Sequence, residues 1–110
     1  MGAVKNKTLK LVYVVFPASF SLKKSVSELL KSRLIVCANI VKGMESQYLW
    51  KGKVEKSKET IVIFKVLASK ERPFLAEIAK IHPYEVPFIG VLGLESVNGS
   101  YLTYAIQQQT

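Results

Sequence analysis

The stretch "IVCANIVKGMESQYLWKGKVEKSKETIVIFKVL", residues 35–67, predicts two long strands that fold back on each other. Residues 35–50 form an extended segment in which Gly43 predicts a bulge or bend. Lys51 and Gly52 suit a tight turn, and residues 54–67 return as a second strand rich in β-branched side chains. The stretch therefore predicts a long antiparallel hairpin in the middle of the chain.

Patterns of further strands and helices lie on both sides of this hairpin. Before it, residues 8–16 have the composition of a strand, and residues 17–34 carry apolar side chains at helical spacing. After it come a helical pattern at residues 69–82, a strand at residues 87–94 and a short helix at residues 98–109. The order is β-α-β-β-α-β plus a terminal helix. Right-handed crossovers fold that order into a ferredoxin-like α+β sandwich with a C-terminal helix.

The predicted strands are apolar on both faces. In the strand at residues 54–67, Ile61 and Ile63 point one way, while Val62 and Phe64 point the other. A sheet with helices on one side only should alternate apolar and polar residues, because its other side meets water. Other copies of the same chain are the economical cover for the second face. The alternative is that the terminal helix and neighbouring side chains cover it within a monomer.

Length, charge and cysteine content narrow the class of protein. The 110 residues suffice for a single domain, residues 1–110, and contain no apolar run of the ~18 residues that a membrane span needs. The single cysteine, Cys37, excludes an internal disulfide and favours the cytoplasm. The net charge of +8 makes nucleic acid a partner to consider. However, the lysines are spread out, and their densest run, residues 51–58, indicates a solvated hairpin tip more than a phosphate-binding patch.

RNA-recognition domains share this strand order, and they stack bases on aromatic side chains of their third strand. Here the corresponding strand contains no glycine and one aromatic residue, which argues against nucleic acid as a partner. Signatures of nucleotide-binding loops, serine hydrolases and zinc peptidases are missing from the sequence as well. We therefore expect a protein that is not an enzyme.

The segment "HPYEVP", residues 82–87, holds the only histidine. Pro83 predicts the end of a helix near His82, so the segment can be simply a turn that leads into the last strand. Metal binding or ion sensing by His82 is the alternative. Cys37 most simply packs as a small apolar side chain. Trp50, with Tyr48 two residues before it, suits an anchor in a protein interface.

Three segments also carry the motifs of a known family. "HPYEVP" is one, and "YLTYAI", residues 101–106, is another, with Tyr104 where the family usually has tryptophan. The third is the pattern Cys-x-Asn-Ile, Ser-x-Tyr-x-Trp-x-Gly, Glu and Lys, met here by Cys37, Asn39, Ile40, Ser46, Tyr48, Trp50, Gly52, Glu59 and Lys65. In these motifs the chain resembles the CutA divalent-cation-tolerance family.

The resemblance implies a non-enzymatic, PII-like homotrimer that takes part in tolerance of copper and other divalent cations. Long hairpins pair across subunits in such a trimer, which places Tyr48, Trp50, Gly52 and Val54 at the subunit interface. The cleft between subunits would include Glu59, Lys65 and Tyr84.

The resemblance also implies a set of candidate metal ligands. Bacterial copper ligands of the family correspond to Val14 and Ile81 here, which leaves His82 as the one histidine. The expected metal ligands are then His82, Glu85 and Cys37, with a divalent cation such as copper held in the cleft between subunits. The alternative function is that of a PII-like signalling or scaffold trimer whose lysine-rich surface binds an anionic metabolite or a protein.

Overall fold

The structure, a computed structural model, describes residues 3–109; residues 1, 2 and 110 of the predicted domain lie outside the described residues. Six strands and three α-helices follow one another, with a single 3₁₀ turn at Ala68–Lys70. In chain order they are β1 (Ala3–Lys5), β2 (Leu9–Pro17), α1 (Leu22–Lys31), β3 (Cys37–Trp50), β4 (Lys53–Leu67), α2 (Glu71–Ile81), β5 (Ile89–Gly93), β6 (Ser96–Asn98) and α3 (Gly99–Gln108).

The main sheet contains four antiparallel strands in the order β3-β4-β2-β5. Opposite Val14 of the central strand β2 lie Val62 of β4 and Ile89 of β5. Together with α1 and α2, these strands have the βαββαβ order of a ferredoxin-like sandwich. The predicted α+β fold with a C-terminal helix is confirmed.

The central hairpin has the turn and the bulge that the sequence predicts. Lys51 and Gly52 both have positive φ, 51° and 80°, as a two-residue turn between twisted strands requires. Gly43 has a φ of 79°, and the pairing of β3 with β4 shifts register between Val41 and Met44. Gly43 therefore supplies the left-handed conformation that a bulge needs.

The main core lies between the sheet and the helices α1 and α2. The side chains of β2 and β4 that point into it are Val12, Val14, Phe16, Val62, Phe64 and Val66, and Phe16, Phe64 and Val62 are each at most 1% exposed. Leu29 of α1 and Phe74 of α2 close it from the helix side. Helical spacing brings the apolar side chains of each helix to this face, which fixes the position of both helices on the sheet.

The opposite face of the sheet is covered at one end only. There, Ala105 of α3 packs with Leu9, Val36 and Leu67 in a second, smaller cluster. Towards the far end of this face, large apolar side chains remain exposed; Trp50 is 51% exposed. The prediction that the strands are apolar on both faces is confirmed, and the terminal helix alone leaves part of the second face uncovered.

A small second sheet was not predicted. It pairs β1 with β6 in antiparallel register, with Val4 opposite Val97, immediately before α3. Asn6, which follows β1, joins this segment to the chain beside the sheet, since its side-chain amide donates to the carbonyl oxygens of Leu9 and Leu94. This sheet anchors the N-terminal segment beside the start of α3. Within residues 3–109, every helix is too short or too polar to cross a membrane.

Candidate functional site

His82 forms the C-terminal boundary of α2, where the backbone turns extended before Pro83. Its ring is 8% exposed and stacks on Phe16, with 4.6 Å between ring centroids. Nε2 lies 2.7 Å from the carbonyl oxygen of Val15, and Nδ1 lies 3.1 Å from the backbone nitrogen of Tyr84. A carbonyl oxygen only accepts, so Nε2 carries the proton and donates, while Nδ1 accepts from the Tyr84 N–H.

Both nitrogens of His82 are therefore engaged within the protomer. The imidazole holds the turn at residues 82–84 against strand β2, and neither nitrogen offers a free lone pair to a metal. A ligating histidine normally binds the metal through one nitrogen and donates through the other. His82 instead uses its acceptor nitrogen to fix the position of Tyr84.

Tyr84 reaches from this turn to strand β4. Its hydroxyl donates a hydrogen bond of 2.5 Å to Oε2 of Glu59, a residue only 7% exposed. Burial, and after it the hydrogen bond to Glu59, raise the pKa of Tyr84 well above its ordinary value of 10. Tyr84 therefore stays protonated at physiological pH and acts as the donor to Glu59.

Glu59 and Tyr84 line a cavity of about 670 Å³ on the second face of the sheet. Two further carboxylates, Glu55 and Glu85, line it as well. In β3, the alternate residues Ser46, Tyr48 and Trp50 point to the same side as Glu55, because Tyr48 pairs directly with Glu55. Val15, Val86 and Phe88 complete the wall.

The structure brings together five of the residues that the sequence predicted for the site or the interface. They share this cavity and are Tyr48, Trp50, Glu59, Tyr84 and Glu85. Gly52 lies in the hairpin turn beyond it, and Val54 points to the opposite face of the hairpin, because it alternates with Glu55 along β4. Those two residues belong to the hairpin surface rather than to the cavity.

Cys37 and Lys65 pair with each other at a different part of the sheet. Lys65 Nζ lies 4.0 Å from Cys37 Sγ and 5.2 Å from the ring centroid of Tyr101 on α3. In the register of the sheet, Cys37 of β3 lies opposite Lys65 of β4, and Lys65 lies opposite Leu11 of β2. His82 contacts β2 at Val15 instead. Four residues along a strand span about 13 Å, so Cys37 and His82 are far apart within one protomer.

The predicted ligands Cys37, His82 and Glu85 are therefore not gathered into one set in the protomer. Within residues 3–109, no three histidine, cysteine or glutamate side chains are placed to share one metal ion. Copper prefers imidazole and thiolate ligands, whereas the cavity offers carboxylates. A single protomer does not fit a copper site.

Sequence reasoning missed Glu55, Ser46, Val86 and Phe88 as cavity residues. The signal for Glu55 was available: it faces Tyr48 across the hairpin, and its alternation with Glu59 places both on one side. Val86 and Phe88 carried no comparable signal. They are 76% and 61% exposed, and only the path of the turn at residues 82–88 brings them to the hairpin.

Comparison with known proteins gives this fold and site a context. The family model of the CutA1 divalent ion tolerance protein matches residues 10–108 of the chain. The chain belongs to the CutA1 family. Its relatives include the divalent-cation tolerance protein CutA of Thermococcus kodakarensis, 41% identical over 91 residues that cover 83% of this chain and 86% of that protein.

Solved CutA1 structures have the same fold. The crystal structure of CutA1 from Pyrococcus horikoshii matches with a TM-score of 0.83 at 36% identity, covering 92% of this chain and 98% of that one. CutA1 from Ehrlichia chaffeensis matches with a TM-score of 0.87 at 25% identity, covering 97% and 98%. The similarity extends over nearly the whole chain, so the ferredoxin-like fold and the family assignment agree.

Proposed function

We propose that residues 1–110 act as one CutA-like domain in a cytoplasmic homotrimer that takes part in divalent-cation tolerance without catalysing a reaction. Family membership supports the link to divalent cations, since relatives carry the name divalent-cation tolerance protein. The observation that carries the proposal is the cavity lined by Glu55, Glu59 and Glu85 on the incompletely covered face of the sheet. The lone cysteine supports the cytoplasm, a reducing compartment.

The exposed surface on both faces of the hairpin end supports assembly with identical chains. Leu49 is 73% exposed, Val54 66% and Trp50 51%, all at the end of the hairpin. A monomer rarely exposes so many large apolar side chains together, and closed homo-oligomers are the usual way to cover such surface. Tyr48, Trp50, Gly52 and Val54 are the residues we propose at this interface.

The cavity supports a cation site made of oxygen atoms. Glu85 is exposed at its edge, and Glu59 is held in place inside it by Tyr84. Hard divalent cations such as Mg²⁺ and Mn²⁺ are often bound by one or two carboxylates and retained water molecules. We assign Glu59 and Glu85 this role, at a cleft that a neighbouring copy completes. Lys65 lies at the other end of the same face.

His82 and Cys37 remain candidate copper ligands only if the protomer rearranges. His82 would have to release the Tyr84 N–H from Nδ1, and Cys37 would have to come from a neighbouring copy. Each of these changes opposes copper binding. We therefore expect copper(II) to bind no more tightly to this protein than to a variant without His82.

Isothermal titration calorimetry with Mn(II) and Cu(II) tests the cation site. Glu85→Gln should weaken Mn(II) binding about tenfold or more, because it removes a charged ligand. Glu95→Gln, an exposed acid outside the cavity, is the matched control and should bind as the parent does. Equal Mn(II) affinity in the parent and in Glu85→Gln would contradict the carboxylate site. Clear loss of Cu(II) binding in His82→Ala would contradict the role given to His82.

The opposite face of the hairpin favours a second candidate function. Lys56 and Lys58 are exposed there, alternating with the acidic residues of the cavity face. A PII-like sensor or scaffold could bind an anionic metabolite or a protein through these lysines. Binding of ATP, used as a polyanionic probe, should then weaken with salt, resist chelators and fall in Lys56→Gln. ATP binding that this variant leaves unchanged would exclude this face.

A further inference from the structure

The cavity on the second face combines negative charge with aromatic walls. Three of the eight acidic residues of the chain, Glu55, Glu59 and Glu85, line it, although the chain carries a net charge of +8. Local charge of this sign attracts cations in an otherwise basic protein. The volume of about 670 Å³ lies in the range of pockets that hold small organic molecules.

The spacing of the carboxylates distinguishes between kinds of cation. A metal ion that is bound by three or more protein ligands needs them to converge on one point, within about 2.6 Å. In the described part of the chain, no such convergence of three acidic, histidine or cysteine side chains occurs. Glu55 and Glu59 are instead four residues apart on one face of β4, about 13 Å along the strand, and the apolar surfaces of Tyr48, Val86 and Phe88 line the same cavity. Separated negative charges with apolar surface between them match an ion whose positive charges are joined by hydrocarbon.

The aromatic residues add a second form of recognition. Tryptophan and tyrosine rings attract ammonium groups through their faces, and tryptophan does so most strongly. An ammonium group already occupies this position on Trp50, because Lys51 Nζ lies 5.9 Å from the indole centroid. Lys51 occupies one face of the indole, so an amine of a ligand has to use the other face.

Glu59 is positioned to meet such an amine inside the cavity. Its Oε2 accepts from Tyr84, and the contacts of the described residues leave Oε1 as an acceptor for a ligand. The hydrogen bond also fixes the carboxylate, so binding would order little that is not ordered already. Glu55 and Glu85, both exposed, can receive a second ammonium group at the rim.

We propose that the cavity binds a linear organic polyamine, with one ammonium group at Glu59 and another at Glu55 or Glu85. The hydrocarbon between these groups packs against the apolar wall, and an ammonium group lies over the face of the Trp50 indole that Lys51 does not occupy. This proposal rests on the proposed function for the choice of cavity; all the residues that it uses belong to one protomer, and a neighbouring copy only closes the cavity. Its ligand is an organic ion, so it does not depend on a bound metal.

Spermidine is the probe, titrated at constant ionic strength in the presence of a chelator. Trp50 is the only tryptophan, so its fluorescence reports directly on this cavity. We expect a saturable change with spermidine and none with ammonium chloride at equal charge concentration. The double variant Glu55→Gln/Glu85→Gln should weaken binding about tenfold, whereas Glu95→Gln should leave it unchanged.

Calorimetry on Trp50→Leu completes the test, with an expected loss of about fivefold in spermidine affinity. Circular dichroism checks that each variant is folded. The absence of a saturable change, or equal affinity in all the glutamate variants, would overturn the proposal. If the protein binds spermidine but not Mn(II), the proposed metal site is wrong and the polyamine site stands. If it binds Mn(II) but not spermidine, the polyamine site is wrong and the metal site stands. A monomeric parent that still binds spermidine rejects the assembly but retains the ligand.

Discussion

Replacement of Tyr84 by phenylalanine removes one hydroxyl group from the centre of the site. In the parent, that hydroxyl donates the 2.5 Å hydrogen bond to Glu59, which is 7% exposed. Hydrogen bonds to charged groups contribute about 1.5–3 kcal/mol, and a buried carboxylate that loses its donor has little water to replace it. We expect Tyr84→Phe to lower the free energy of unfolding by about 2 kcal/mol.

Urea unfolding at fixed protomer concentration measures this change, because the stability of an oligomer depends on concentration. With a urea dependence of about 2 kcal/mol per molar, the midpoint should fall by about 1 M. Tyr104→Phe is the matched control. The Tyr104 side chain is 46% exposed, and loss of its hydroxyl should change stability by less than about 0.5 kcal/mol.

The hydrogen bond between Tyr84 and Glu59 also makes the stability of the protein depend on pH. The pKa of Tyr84 is raised in the folded protein above its ordinary value of 10, so its stabilising contribution is complete below pH 10. That contribution is lost as the pH rises from 10 towards the folded pKa. The difference in stability between the parent and Tyr84→Phe should therefore narrow above pH 10. Equal midpoints for Tyr84→Phe and Tyr104→Phe, or a difference that stays constant above pH 10, would refute this account of Tyr84.

Three further predictions concern the turn, the hairpin and the core. His82→Ala should lower the urea unfolding free energy by about 3 kcal/mol, because it removes two hydrogen bonds and a buried ring; a change below about 1 kcal/mol would contradict the structural role of His82. Gly52→Ala should lower the free energy of unfolding by about 1 kcal/mol, because the backbone φ of Gly52 is 80°. Gly93→Ala is the control and should lower it by less, because Gly93 has an ordinary φ and open space around it; equal losses of stability would argue against the turn. Phe64→Ala should lower the free energy of unfolding by about 3–5 kcal/mol, because it empties part of the core. Leu49→Ala should leave the circular dichroism spectrum unchanged and weaken assembly in analytical sedimentation; an intact assembly would exclude Leu49 from the interface.

Much of the fold could be predicted because its signals are local. Gly43 and the Lys51-Gly52 pair mark a bulge and a turn by backbone preference, and alternation within β4 shows that both of its faces are apolar. The sheet of β1 and β6 was missed, because strands of three residues carry too few side chains to show a periodicity.

The site was less predictable because it depends on distant contacts. The sequence marks His82 as unusual, but it does not show that Val15 and the Tyr84 N–H occupy both ring nitrogens. The contact of Tyr84 with Glu59 spans 25 residues and depends on the course of the turn after α2. The residues around His82 were compatible with a turn or with a ligand, and the family resemblance favoured the ligand. Its burial and hydrogen bonds make it a support for the cavity wall.

The mass of the protein in solution tests the central claim most directly, because the proposed cleft needs neighbouring copies of the chain. Light scattering coupled to gel filtration measures that mass without reference to shape. Three chains of 12.3 kDa should give about 37 kDa, and dilution should leave this value unchanged if the hairpin surfaces are buried between subunits. A stable, folded species of 12.3 kDa would contradict the homotrimer and the cleft between its subunits.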